Sequence, residues 1–137
     1  MRIRSVWAPV LGILSAAAVH FAPAQAQRAS LAMLDHFESG NWQLRMRGGS
    51  GDVETICLDS GRKLIQLKHP TDSCSSVIVD DTQTEVTVHY TCPGRGYGQT
   101  HIRRESSRLA QIDSQGIADS LPFNFEAEAR RVGECQD

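Results

Sequence analysis

The sequence predicts a mainly β protein: a single small antiparallel meander of about seven strands, curled into a partial barrel or sandwich, with one or two short helices and two disulfides. Three observations predict it. Apolar residues recur with period two in several short stretches. Turn-forming Gly, Pro, Asn, Asp and Ser separate those stretches. Four cysteines, Cys57, Cys74, Cys92 and Cys135, follow an export leader, and an oxidising compartment converts cysteines so placed into cross-links.

The leader occupies residues 1–26. Arg2 and Arg4 supply its positive start, residues 6–19 are apolar, and Ala24-Gln25-Ala26 gives the small residues that precede cleavage before Gln27. The apolar run is short of the ~20 residues that span a bilayer and is interrupted by Pro9, with His20 just beyond it. The expected mature protein, residues 27–137, is therefore periplasmic or secreted and has no transmembrane segment. It is one domain. Without Arg2 and Arg4 the mature chain carries more acidic than basic residues. That balance argues against nucleic acid as a partner, because polyanion binding needs a concentrated basic footprint. The mature chain is also poorer in apolar residues than an ordinary domain, so its core is thin and its cross-links matter more.

Taken in order, Leu31, Leu34 and Phe37 share helical spacing, which predicts a short helix over residues 30–38 ended by Gly40. The period then changes to two: Trp42, Leu44 and Met46 alternate with polar residues. Gly48-Gly49-Ser50-Gly51-Asp52 reverses the chain, and residues 53–58 return, with Trp42 expected opposite Leu58 and Leu44 opposite Ile56. Residues 59–68 predict one or two helical turns, capped by Asp59 or Ser60, packing through Leu64, Ile65 and Leu67 and stopped by Pro70. Residues 74–80 and 85–92 predict a hairpin, Pro93–Gly98 another reversal, and residues 100–105 and 108–114 two weaker strands near an edge, polar on both faces. Phe123, Phe125, Ala127 and Ala129 alternate in a last strand. Trp42, Tyr90, Phe123 and Phe125 are the expected aromatic core.

The second hairpin tests the cysteines. A register with Val79 opposite Thr87 sets Ile78 against Val88, Ser76 against Tyr90 and Cys74 against Cys92. Directly opposed Cβ atoms can approach closely enough for a disulfide at the tighter, non-hydrogen-bonded site. This favours Cys74–Cys92 and leaves Cys57–Cys135; the spacing also admits Cys57–Cys74 with Cys92–Cys135. A metal site is not expected. Structural zinc wants close ligand pairs, these cysteines are far apart in sequence, and His89 and Cys92 point to opposite faces of one strand. No cofactor is expected.

Little else points to chemistry. Gly94-Arg95-Gly96-Tyr97-Gly98 is rich in glycine, but a polar strand follows it where a phosphate loop needs a helix, so it reads as a hairpin turn. Its Arg95 and Tyr97 are the candidate recognition residues. No Gly-x-Ser-x-Gly is present. His89 and His101 are expected on adjacent strands, and Glu126 and Glu128 share a strand face with Arg130, as solvated faces often do.

These residues together resemble the bacterial family called domain of unknown function 3617. The likeness runs over residues 31–135: Gly40-Asn41-Trp42 at the start, the four cysteines in order, Phe123, and the closing Gly133-Glu134-Cys135. Arg131 and Val132 stand where members often carry a bulky aromatic. The resemblance implies an exported, periplasmic protein and supplies no catalytic residue. The expected function is a non-enzymatic binding or envelope-associated module. Alternatives are an inhibitor of an envelope hydrolase acting through Arg95–Tyr97, a small hydrolase, and a carrier of a small apolar ligand.

Overall fold

Alternating side chains give each strand one apolar and one polar face, and pairing the strands collects the apolar faces on one side of a single sheet. A computed structural model of the chain describes residues 30–48, 51–71 and 73–136, so the leader, the cleavage point and Ser50 lie outside the described residues. Seven antiparallel strands form that sheet: β1 (Gly40–Arg47), β2 (Val53–Leu58), β3 (Ser75–Asp81), β4 (Glu85–Cys92), β5 (Gly96–Ser106), β6 (Leu109–Ala118) and β7 (Leu121–Gly133). Their order is β2-β1-β7-β6-β5-β4-β3. Strands β3 to β7 run as a meander, and the β1–β2 hairpin joins it through β1 against β7. The edges β2 and β3 do not pair, so the sheet is open.

The expected helices are two short 3-10 turns, Ala32–His36 and Gly61–Leu64. Each is too short to stand alone, and each is anchored by side chains. Asp81, at the end of β3, accepts from the Ser30 and Leu31 amides at 2.8 and 3.0 Å. Ser60 caps the second turn by accepting from the Arg62 amide at 3.2 Å. Both turns cover the apolar face. Leu34, Phe37, Leu64 and Ile65 are buried there against Trp42, Leu44, Val86, Val88, Ile102 and Ile112. The first turn also fixes Trp42: its indole N–H donates to the Glu38 carbonyl at 3.0 Å and its ring meets Phe37 edge-on.

Several expectations need correction. The β1–β2 register is displaced by two residues, pairing Gly40 with Leu58, Trp42 with Ile56 and Leu44 with Glu54. A two-residue slip preserves which face each side chain occupies, so the period-two pattern does not distinguish the alternatives. The β3–β4 hairpin keeps Ser76 opposite Tyr90 and Ile78 opposite Val88, but a bulge then sets Asp80 opposite Thr87 and leaves Val79 unpaired. Phe123 and Phe125 are half-buried at the margin of the inner face, where the Lys68 ammonium sits 5.4 Å from the Phe125 ring centroid.

The strands read as weak are central. β5 and β6 lie inside the sheet, span 11 and 10 residues, and leave the edges to β2 and β3. They look polar on both faces because two of their inward residues, Thr100 and Ser114, are hydroxylic. Both are buried, and both are satisfied. Thr100 donates to the Ile65 carbonyl at 2.6 Å, and its hydroxyl lies 2.8 Å from that of Ser114. Between them and the hairpin tip, Gly98 lacks the side chain that would collide with the Tyr90 ring, so the ring lies across it on the inner face.

Both expected disulfides form. Cys74 and Cys92 have Cα atoms 4.2 Å apart, the close spacing of a non-hydrogen-bonded antiparallel pair. Cys57–Cys135 ties edge strand β2 to the chain just past β7, across β1, which pairs with both. Two disulfides and no free cysteine among the described residues mark a protein that matures in an oxidising, extracellular compartment. Among the described residues no helix is long and apolar enough to cross a membrane.

Loops of 18 and 78 residues closed in the unfolded chain correspond to about 3 and about 4.5 kcal/mol in the chain-entropy model. Reduction is therefore expected to lower the thermal midpoint of the protein by many degrees, with Cys57→Ser/Cys135→Ser losing more than Cys74→Ser/Cys92→Ser in calorimetry. An unfolding midpoint that ignored reductant, with both bonds shown to be broken, would contradict this.

Candidate functional site

The candidate recognition residues sit at one end of the sheet, where two tight turns lie side by side. The β4–β5 turn carries Arg95, whose amide donates back to the Cys92 carbonyl at 3.0 Å. The β6–β7 turn is the two-residue link Asp119-Ser120. Both of its residues have positive φ, 49° and 66°, as the favoured hairpin turns require, although neither is glycine. The turns are joined twice. The Asp119 amide donates to the Arg95 carbonyl at 3.0 Å. The Arg95 guanidinium grips the Asp119 carboxylate through Nε at 2.7 Å and a terminal nitrogen at 3.3 Å. That bond holds the Asp119 carboxyl below its usual pKa. Asp119 was not legible as a partner because the sequence pattern ends β6 at residue 114, whereas the strand continues to Ala118.

A buried histidine supports this end from beneath. His69 is 2% exposed. Its Nδ1 lies 3.3 Å from the Tyr90 hydroxyl and its Nε2 3.3 Å from the Arg95 carbonyl. A carbonyl only accepts, so one tautomer satisfies both contacts: Nε2–H donates to Arg95, and Nδ1 accepts from Tyr90. The β2–β3 connection is thereby fastened to the turn that carries Arg95. Burial pushes the Tyr90 hydroxyl up to about 12.

Tyr97 stands on β5 itself and not at the turn tip. It projects from the outer face, 48% exposed, with its ring centroid 6.2 Å from that of His89. The register opens a larger arrangement around it. Directly opposed positions set His89, Gln99, Gln115 and Asn124 in one row across β4, β5, β6 and β7. All four are exposed. Tyr97 and Ile117 flank the row on one side. His101, Asp113 and Glu126 flank it on the other. Two adjoining hollows of about 330 and 250 Å³ lie along this surface and share Gln99 and Gln115. Among the described residues, no Lys or Arg lines either hollow.

The other sequence candidates are placed as follows. His101 lies between carboxylates, with Nδ1 3.6 Å from Asp113 and Nε2 3.6 Å from Glu85. Both ring nitrogens thus face acids at 3.6 Å, whereas a general base needs its nucleophile within ~3.2 Å. His89 is opposite Gln99, one pair removed from His101. Glu126 lines the smaller hollow, while Glu128 is paired with Arg130 at 3.3 Å. Beyond those candidates, Arg103 on β5 pairs with Glu105 at 3.2 Å, and its neighbour Arg104 donates to the Gln83 carbonyl at 3.1 Å. The amide row itself was not foreseen, since it exists only through the pairing of three strands.

Comparison with protein-family models, curated proteins and solved structures returns no match to this chain.

The raised Tyr90 pKa sets a pH dependence. Folded Tyr90 keeps its proton up to about 12, whereas an unfolded tyrosine loses it near ~10. Above the lower value the folded state holds the extra proton, so stability falls as pH rises from ~10 toward 12, by about 2–3 kcal/mol in all. Denaturant titrations across that window should show this loss in wild type and a smaller one in Tyr90→Phe; parallel curves would refute the assignment.

Proposed function

We propose that this chain is an exported, periplasmic, non-enzymatic binding module that meets its partner in the cell envelope through the outer face of the sheet. The observation that carries this reading is the exposed row His89–Gln99–Gln115–Asn124 beside Tyr97, on strands whose pairing is braced from behind. A rigid surface loses little conformational entropy on binding, which suits recognition. The disulfides and the leader support export, and the resemblance to the domain of unknown function 3617 family agrees with that setting.

The rival readings draw less support. A small hydrolase would need a nucleophile or a base–water pair, and His101 is held between Glu85 and Asp113. An inhibitor inserting Arg95–Tyr97 would have to release the Arg95–Asp119 pair. A carrier of a small apolar ligand gains some support from a groove of about 390 Å³ beside β2, lined by Ile56, Leu67 and Pro70 among others. The inner face itself is filled by Leu34, Trp42, Leu64 and Ile65.

Mature protein should co-sediment with isolated cell envelopes, and Tyr97→Ala should reduce the bound fraction severalfold while Leu67→Ala, in the β2 groove, leaves it unchanged. Equal recovery of wild type and Tyr97→Ala would defeat the outer-face reading; selective loss in Leu67→Ala would transfer it to the groove.

A further inference from the structure

Resting on the outer-face reading, we infer that the ligand of this face is an uncharged oligosaccharide chain, held across β5, β6 and β7 by the side-chain amides of Gln99, Gln115 and Asn124. Directly opposed residues on neighbouring strands have Cβ atoms roughly 5 Å apart. The three amides therefore form a ladder of groups that each both donate and accept. A ligand matched to such a ladder must itself carry donors and acceptors at short, regular intervals along its length. The hydroxyl groups of linked sugar rings do so.

The flanking rows refine the match. On one side stands the aromatic ring of Tyr97, half exposed, with Ile117 directly opposite on β6. A sugar ring presents a C–H surface as well as hydroxyls, and an aromatic ring with a polar tip receives both. On the other side stand Asp113 and Glu126, and among the described residues no Lys or Arg lines either hollow. Elsewhere on the outer face Arg103 is engaged with Glu105, Arg130 with Glu128, and Arg47 with the Gln111 amide. A polyanion would meet two carboxylates and no free counter-charge in the hollows, which disfavours nucleic acid and acidic polysaccharide alike. An apolar ligand would strand three exposed amides without partners. The charge and polarity of the surface thus select a neutral, polyhydroxylated chain. The two adjoining hollows, joined at Gln99 and Gln115, give it an extended track and not a single closed pocket.

The test is a titration of isotope-labelled mature protein followed by NMR, with chitohexaose and cellohexaose as neutral chains and polygalacturonate as the acidic one. The expected result is saturable movement of the Gln99, Gln115 and Asn124 side-chain amide signals with at least one neutral chain. Gln115→Ala should weaken binding roughly fivefold, as expected for one lost hydrogen bond, and polygalacturonate should produce no movement. Unchanged circular dichroism checks that the variant folds, and the wild-type signals carry the result if it does not. The inference is overturned if neither neutral chain moves these signals at millimolar concentration, if the movement maps away from the row, or if polygalacturonate binds as tightly. Should neutral chains fail while envelope co-sedimentation still depends on Tyr97, the carbohydrate assignment falls and the outer-face reading stands; if both fail, both fall.

Discussion

The connection between β2 and β3 is the part on which the rest depends. A seven-stranded sheet with one apolar face is unstable until that face is covered. This chain has no long helix among its described residues to cover it. Instead, the segment that travels from one edge of the sheet to the other lies over the apolar side. It delivers Leu64 and Ile65 to the core, a carbonyl to Thr100, and His69 to Tyr90 and the Arg95 turn. The path is held at both ends by sulfur. Cys57 leaves β2 tied to the end of the chain, and Cys74 enters β3 tied to β4. Cross-links substitute here for the apolar area that a larger domain would bury.

Covering one face with the chain's own connection leaves the other face open. Its polar residues are consequently free of structural duties that the inner residues carry. The ion pairs on it, such as Arg103–Glu105 and Arg130–Glu128, are exposed and contribute little to stability. The amides of Gln99, Gln115 and Asn124 stand exposed in a straight line for the same topological reason: they occupy the outward phase of three consecutive, well-registered strands. A single architectural choice therefore stabilises the fold and prepares a surface. The turn end is stiffened further by the Arg95–Asp119 pair, which compensates two non-glycine residues at positive φ.

Much of the fold was legible because its signals are local. Alternation marks β1, β4 and β7, and the β3–β4 register follows from side-chain matching over a short hairpin, which is why the Cys74–Cys92 pair could be read from spacing. The site was less legible. Arg95 and Tyr97 stood out by residue type, but their separation into a clamped turn residue and an outward strand residue depends on where β5 begins. The amide row needed the pairing of β5 with β6 and of β6 with β7. Those strands read as weak edges since their inward residues, Thr100 and Ser114, are polar, and polar residues do not announce burial.

Properties set by near neighbours could be read from the residues alone: the β class, the phase of each alternating strand, and a preference for the cysteine pair across a hairpin. The order of the strands, and which polar residues lie inside, came only with the assembled sheet. The reason is energetic. Burying Thr100 and Ser114 is favourable only after the Ile65 carbonyl arrives from a distant part of the chain, and a slip of two residues between β1 and β2 leaves every face unchanged. Period and composition carry no record of either event.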